Sequence, residues 1–374
     1  ACVTSDSEGN VFEQAGSMTL KEALEEPERR IIRQALELSG CSVSICNVPQ
    51  EWPTYRKTVP LIAQYRRVCS DCDLILVAEF CQTLVPLAWL LGRMTGRPVV
   101  FDMVIGLYEA SVIERRRHAP NELAAIKLFC LDKSAGHLAD AVLTGTSAYK
   151  EYLTADFGIS AEKIHLTPLG VNDHLFRPGV ERNSSGGELT VLYHGSFIPN
   201  HGVDNIVRAA AESGNESHLT FQFIGDGEGK QQAMELAERL RISNIKFSSK
   251  VPFAMLPAYI AEADIILGVF GDTPQANKAM ANKVLEGLAM RKPVITGDTL
   301  SIRENFVHGE HLWLTPLGDP AALAHGLNSL AVDEKLRARL SERGYRRVME
   351  RLTPAVVGQL LQAELQALLE RWRQ

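Results

Sequence analysis

The sequence predicts an α/β protein of two parallel-sheet domains. Strand and helix signals alternate along its 374 residues, and the alternation halts at a polar stretch and then restarts. The strand signals are short apolar runs, such as Leu74-Ile75-Leu76-Val77 and Pro98-Val99-Val100-Phe101. Runs of that kind suit strands buried on both faces, which parallel sheets require. At roughly 150 residues per domain the length suits two domains.

Each element has a local reason. After a short first strand, residues 20–38 carry helical periodicity and stop at Ser39-Gly40, a helix terminator. Residues 42–45 read as a strand, 84–94 as a helix between two strands, and 122–138 as a long helix leading into Ala141-Val142-Leu143. A helix from Ser147 and a strand at 163–167 complete the first half. Residues 179–187 (GVERNSSGG) are polar, rich in Gly and Ser and without period, so they read as a linker. Strands follow at 189–193, 219–224, 265–269 and 293–296, with helices at 203–211 and 230–240 and one ending at Met290. Helical stretches at 334–350 and 354–372 close the chain. The expected division is 1–178, a linker at 179–188, 189–352, and a terminal helix at 353–374. Ligands of such sheets bind at the carboxyl ends of the strands, and two such domains place a cleft between them.

Composition excludes several classes. The formal charge is -6, and neither half has the basic excess of a nucleic-acid binder. No apolar run is long enough to span a bilayer, and the start shows no signal-peptide pattern. All seven cysteines lie before residue 131. The count is odd, so reduced thiols in a cytoplasmic protein are expected. Cys69–Cys72 has no second pair at zinc spacing, and no metal is expected.

The most informative stretch is Asn282-Lys283-Val284-Leu285-Glu286-Gly287-Leu288-Ala289-Met290. On a helix, Leu285, Leu288 and Ala289 share a face toward the sheet, and Lys283, Glu286, Gly287 and Met290 share another. Glu286 is thereby expected to point away from the core. The helix start attracts phosphate, Glu286 suits ribose hydroxyls, and Lys283 suits a diphosphate. The bland alternative is a solvated Lys/Glu face.

The second half resembles the GT-B-fold retaining glycosyltransferases of family 4, the glycosyl transferases group 1. The matching segments are residues 193–203 (YHGSFIPNHGV), Phe223-Ile224-Gly225-Asp226-Gly227, Ala263-Asp264-Ile265, and residues 286–295, similar to the family's "EAMA-x-G-x-PVI". Thr167-Pro168-Leu169-Gly170-Val171-Asn172 is similar to the turn before the family's interdomain linker. The resemblance implies two Rossmann-like domains with parallel sheets facing an interdomain cleft. The final helix is expected to cross back to the first domain.

It also implies transfer of a sugar, with retention, from a nucleotide-diphosphate sugar to the hydroxyl of a glycan, glycolipid or small-molecule acceptor. That chemistry belongs to polysaccharide, glycolipid or glycoconjugate biosynthesis, and needs neither cofactor nor metal. Glu286 would take the ribose, Gly195 and Ser196 would lie beneath the diphosphate, and Lys250 and Val251 would meet the base. Gly225, His201, Lys278, Asn282 and Lys283 complete the expected donor site. Three charged positions of the family pattern are changed. The first of two glutamates falls on Lys278, and the loop Arg and Lys fall on Ser196 and His201. Lys283 and Lys278 are candidates to restore the charge. A nucleotide-sugar 2-epimerase on the same fold, and a non-catalytic nucleotide-sugar-binding partner of another transferase, are the alternatives.

In the first half, Asp102 and Glu79 follow strands and are candidates to orient or deprotonate an acceptor hydroxyl. Their bland alternative is a cap or loop carboxylate. Tyr108, Glu109 and Arg115–Arg117 are candidates for the acceptor side. The arginine run reads as a solvated surface, or as a peripheral contact with an anionic inner membrane surface or a lipid-diphosphate acceptor. Asp73, within Asp71-Cys72-Asp73, reads as a strand-entry residue.

Overall fold

A computed structural model of the chain describes residues 2–5, 27–49, 52–179, 187–213 and 218–374. It divides into two compact units, Ala1–Pro168 with Pro354–Gln374, and Leu169–Thr353.

The first unit runs β1 (Cys2–Ser5), α1 (Pro27–Leu38), β2 (Cys41–Ser44), α2 (Thr54–Val68), β3 (Leu74–Val77), α3 (Val85–Thr95), β4 (Val99–Asp102), α4 (Leu123–Leu138), β5 (Ala141–Thr144), α5 (Ser147–Phe157) and β6 (Ile164–Leu166). Its sheet has the order β2-β1-β3-β4-β5-β6. From β3 to β6 every pairing is parallel, as expected. β1 departs from the expectation, because it pairs antiparallel with both β2 and β3. An α/β sheet accommodates such a strand readily, since antiparallel ladders need no crossover helix. The start of the helix expected at 20–38 lies outside the described residues, and its described part begins at Pro27. The sequence reading did not include α2.

The second unit runs β7 (Leu189–His194), α6 (Val203–Glu212), β8 (Leu219–Ile224), α7 (Lys230–Arg239), β9 (Ile245–Ser248), α8 (Leu256–Glu262), β10 (Ile265–Leu267), α9 (Pro274–Lys278), α10 (Asn282–Ala289), β11 (Val294–Gly297), α11 (Leu300–Arg303), β12 (Trp313–Thr315), α12 (Pro320–Val332) and α13 (Glu334–Arg351). Its sheet is parallel throughout, in the order β12-β11-β10-β7-β8-β9. That is the Rossmann arrangement, in which the first strand is central and the winding reverses between β7 and β10. The crevice at that reversal is where such sheets bind ligands.

Strand alternation sets the faces. Val191 and Tyr193 of β7 enter one core with α6, α7 and α12, whereas Leu192 enters the other with α8, α10 and α13. Residue 194 therefore falls on the α10 side of the sheet. Val171 and Phe176 are buried in this second core, and Val171 N–H donates to the Leu352 carbonyl at 2.9 Å. The second unit consequently begins at Leu169 rather than at the expected linker, of which residues 180–186 lie outside the described residues.

The last helix, α14 (Pro354–Arg373), groups with the first unit. Leu361, Leu365 and Leu368 join Leu36 over the face of Leu74, Leu76, Val100 and Leu143. Each such buried leucine stabilises by about 1.5–3 kcal/mol. Gly358 permits the contact, because a Cβ there would stand 2.0 Å from the Ala35 carbonyl oxygen.

Candidate active site

Two loops meet at the carboxyl ends of β7 and β8. Gly195 donates its N–H to the Ile224 carbonyl at 2.9 Å, Phe197 donates to Asp226 at 3.1 Å, and Gly229 donates to Phe197 at 2.9 Å. Glycine is required where they cross. Gly225 has φ +148°, and a Cβ there would stand 1.9 Å from the Gly195 oxygen. Gly195 itself has φ +132°, a conformation that residues with a side chain rarely adopt.

A polar staple, absent from the sequence reading, fixes the β8 loop to the segment after β9. Lys230 Nζ donates to the Gly225 carbonyl and to Asp226 Oδ1, both at 2.8 Å, and to the Ser248 carbonyl at 3.0 Å. Asp226 Oδ2 accepts the Lys250 N–H at 2.8 Å. Hydrogen bonds from Lys230 and from the Lys250 backbone hold the Asp226 carboxyl below its ordinary range. Lys250 is thus placed through its backbone, and Val251 packs partly buried against the second core. The signal available in the sequence was a lysine four residues after Asp226, at the start of the helix that follows the glycine-rich loop.

Beneath Gly195 lies α10. Its N-cap residue, Ala281, is extended and supplies no side-chain cap, while Val284 N–H turns back to the Ala281 carbonyl at 3.1 Å, and a helix start of this kind can meet an anion. The expectation that Glu286 points away from the core is corrected. Residues 283–290 are all buried, with Lys283 5% and Glu286 7% exposed. Gly287 faces the sheet, where a Cβ would stand 3.0 Å from methyl groups of Ile266 and Val294. Leu288 reaches α13, where a Cβ on Gly344 would stand 2.5 Å from its Cδ2. The helix is therefore sandwiched between sheet and α13. Its Lys/Glu pair is no solvated face, and burying two such charges carries a cost of several kcal/mol per ion before pairing.

Their surroundings are specific. Lys283 Nζ stands 4.2 Å from the Tyr193 ring centroid and 3.2 Å from His201 Nδ1. A Cβ on Gly195 would stand 3.0 Å from that amine. Burial pushes Lys283 down to about 7, against the opposing pull of Glu286. Tyr193 Oη donates to the Ser196 carbonyl at 2.6 Å and lies 2.9 Å from His201 Nδ1, which also contacts that carbonyl. His194 Nδ1 is 3.6 Å from Glu286 Oε2, and its Nε2 is buried without a hydrogen-bond partner. Burial first, and the Lys283 charge second, push His194 down to about 3, so it is neutral. Ser196 is exposed, and Asn282 and Lys278 are half-buried, at the start of α10 and the end of α9. The end of α9 and the segment after it are held by Leu300 N–H donating to Asn277 Oδ1 at 3.0 Å and Ser301 Oγ donating to the Ala279 carbonyl at 3.1 Å.

The sequence of this strand-end site matches a known family model. Residues 180–347 match the model described as glycosyl transferases group 1, and residues 13–170 match the glycosyl transferase 4-like domain. The chain belongs to the group 1 glycosyltransferases, with a GT-B fold of two α/β units. It is 26% identical over 211 residues to the MMP alpha-(1->4)-mannosyltransferase of Mycolicibacterium hassiacum. That match covers 56% of this chain and 49% of the relative, so the chain spans about half the length of that relative. Sucrose-phosphate synthase from Thermosynechococcus elongatus shares the fold with a TM-score of 0.68 at 15% identity, over 87% of this chain and 81% of that one. Anabaena HepE, solved in complex with UDP, does so with a TM-score of 0.66 at 18% identity, over 84% of each chain.

The first unit of this group 1 chain carries a different cluster. Asp102 ends β4 and is buried, and Glu79 follows β3 and is also buried. Glu79 Oε1 accepts the Ile105 N–H at 3.0 Å, which makes it a loop carboxylate. The next three N–H groups are taken in turn. Gly106 donates to Tyr149 Oη at 2.6 Å, Leu107 to Asp132 Oδ1 at 3.1 Å, and Tyr108 to Asp132 Oδ2 at 2.7 Å. Gln82 Nε2 donates to Asp132 Oδ1 at 3.0 Å. Burial raises Asp132 to about 6, against those hydrogen bonds, with the Glu109 charge adding to the rise. The sequence reading missed Asp132, although an acid seven residues after Ala125 and three before Ala135, both buried on α4, marks a charge on an apolar stripe. A π-helical turn follows at Glu109–Glu114 with both glutamates buried, and beyond it Arg115 is half-buried while Arg116 and Arg117 are exposed. Asp73 accepts a 3.2 Å hydrogen bond from Arg373 of α14, as befits a strand-entry residue.

Proposed function

We propose that this chain is a retaining glycosyltransferase that moves a hexosyl-type group from a nucleotide-diphosphate sugar to an acceptor hydroxyl, in polysaccharide, glycolipid or glycoconjugate biosynthesis. The observation that carries the reading is the buried Lys283–Glu286 pair on an uncapped helix start, beneath Gly195 and at the reversal point of a Rossmann-ordered sheet. Buried charges of this kind are costly, and a phosphorylated ligand supplies their reason. The UDP held by Anabaena HepE supports a nucleotide sugar as donor.

In this reading Glu286 takes the ribose hydroxyls, with His194 beside it. Gly195 and Ser196 lie under the diphosphate, with Gly225 allowing the two loops to cross there. Asn282, Lys283 and the first turn of α10 face the diphosphate, and Lys278 and His201 flank it. The segment of Lys250 and Val251 meets the base. Charge develops on the leaving diphosphate during transfer, and preformed donors at a helix start stabilise it. Asp102 is assigned to the acceptor hydroxyl, and Glu79, through Ile105, to holding the loop beside it.

No helix among the described residues is long and apolar enough to cross a membrane. A peripheral contact from the cytoplasmic side is supported by α2 and its approach. Trp52, Tyr55 and Val59 are exposed there, and residues 52–70 carry Arg56, Lys57, Arg66 and Arg67 with no acid. Aromatic and basic side chains together suit an anionic lipid surface.

The test is transfer itself. Incubation with a nucleotide sugar and a panel of hydroxyl acceptors, followed by proton NMR of the new anomeric centre, is expected to show retained configuration. An inverted product would reject the mechanism, and interconversion of the donor without acceptor would indicate an epimerase.

A further inference from the structure

We propose that the donor's diphosphate is read by a lysine that changes charge on binding: Lys283, which competes with His201 for one proton in the free protein, takes up a proton from solvent as the diphosphate arrives. The inference rests on the donor site proposed above and concerns how that site recognises phosphate.

The geometry requires a shared proton. Lys283 Nζ and His201 Nδ1 are 3.2 Å apart. The same Nδ1 contacts the Ser196 carbonyl oxygen. A carbonyl oxygen only accepts, so Nδ1 carries the hydrogen and donates it there. That leaves Nδ1 without a lone pair for an ammonium N–H. A charged Lys283 would instead press an N–H against an N–H, whereas a neutral amine turns its lone pair to the imidazole. Tyr193 Oη, which already donates to the Ser196 carbonyl, does not relieve this competition.

Every element packed on Lys283 contributes to the balance. β7 supplies the Tyr193 ring face, which favours the cation, and His194, which is neutral. The turn before α6 supplies His201, which opposes the cation. α10 supplies Glu286 one turn on, which favours it. Burial outweighs these contributions and brings the amine to about 7.

A diphosphate reverses the balance. Its oxygens would pass close over Gly195, whose missing side chain leaves room beside the amine, since a Cβ there would stand 3.0 Å from Lys283 Nζ. Two negative charges within a few ångströms raise the amine's proton affinity. The loop itself offers no permanent cation, because residues 195–201 contain neither Lys nor Arg. The positive charge is therefore created by the ligand, and the empty site avoids a buried unpaired ammonium.

The experiment is calorimetric titration of the full chain with UDP at pH 8, in two buffers of different ionisation enthalpy. At that pH the terminal phosphate of UDP, with a second pKa of about 6, is already ionised. Uptake of close to one proton per UDP is expected, and above pH 8 affinity should fall by nearly tenfold per pH unit. Lys283→Arg should bind without uptake and with a flat pH profile. His201→Asn, which removes the competitor, should reduce the uptake. Binding of UDP by the wild type without proton uptake overturns the proposal and leaves the donor site standing. Undiminished uptake in Lys283→Arg overturns it too, by assigning the proton elsewhere. Failure of UDP and of UDP-, GDP-, ADP- and TDP-sugars to bind overturns the donor site and this proposal together.

Discussion

The two units bury charge in opposite ways. In the first, the N–H groups of residues 105–108 are each taken by a side-chain acceptor, from Glu79, Tyr149 or Asp132. The charge there is spent on holding a loop. In the second, the loops after β7 and β8 are joined backbone to backbone and stapled by Lys230 and Asp226, and Lys283, His194 and Glu286 are buried around Gly195. Lys283 has a ring face and a competing imidazole as neighbours, and His194 keeps a buried nitrogen without a partner. A cluster whose acceptors are spent on backbone N–H groups is architecture. Buried charge beside glycines that admit close approach marks a candidate ligand site.

The largest expected effect separates the two clusters by activity. Glu286→Ala should lower kcat/KM for the donor by at least 100-fold while the protein stays folded, as steady-state kinetics and circular dichroism would show. Equal loss of fold would move Glu286 into the architectural class. Next comes Lys283→Met. Removing a buried amine whose charged form is disfavoured should weaken UDP binding by roughly tenfold or more and, at neutral pH and below, raise stability by about 1 kcal/mol. Because Lys283 is lowered in the folded state, its cost is full below pH 7 and fades as pH rises toward the lysine's unfolded value, so the gain should shrink in alkaline buffer. Chemical denaturation at several pH values measures this.

Asp132→Ala should do the reverse, costing about 3 kcal/mol with UDP affinity unchanged. Asp132 binds its proton more tightly folded than unfolded. It therefore lowers stability progressively as pH rises from about 4 to about 6, and Asp132→Asn should remove that slope. The smallest effect on folding is expected on α2, where Tyr55→Glu with Val59→Glu should abolish sedimentation with anionic vesicles and shift stability by less than about 0.5 kcal/mol.

The elements were legible wherever periodicity was strong. β7, β8, α6 and the closing helices fall within a residue or two of their expected bounds. Elements with weaker patterns were missed, among them α2, whose exposed apolar residues blur its stripe, and β12, only three residues long. The orientation of β1 was illegible because a strand's pattern does not encode its direction. At the candidate site, the glycine spacing was legible, whereas the burial of Glu286 was not. Helical periodicity assumes one covered face, and α10 is covered by the sheet and by α13 together. Asp132 and Tyr149 were hidden for another reason, since their partners are backbone N–H groups more than twenty residues away.

The central claim is a donor site on the second unit, and thermal unfolding tests it most directly. Wild type and Glu286→Ala would be heated with UDP-, GDP-, ADP- and TDP-sugars. At about 100 times its dissociation constant, one donor should stabilise the wild type by roughly 2.7 kcal/mol and leave Glu286→Ala unmoved. An equal shift in both proteins, or none in folded wild type with any donor, would contradict the account.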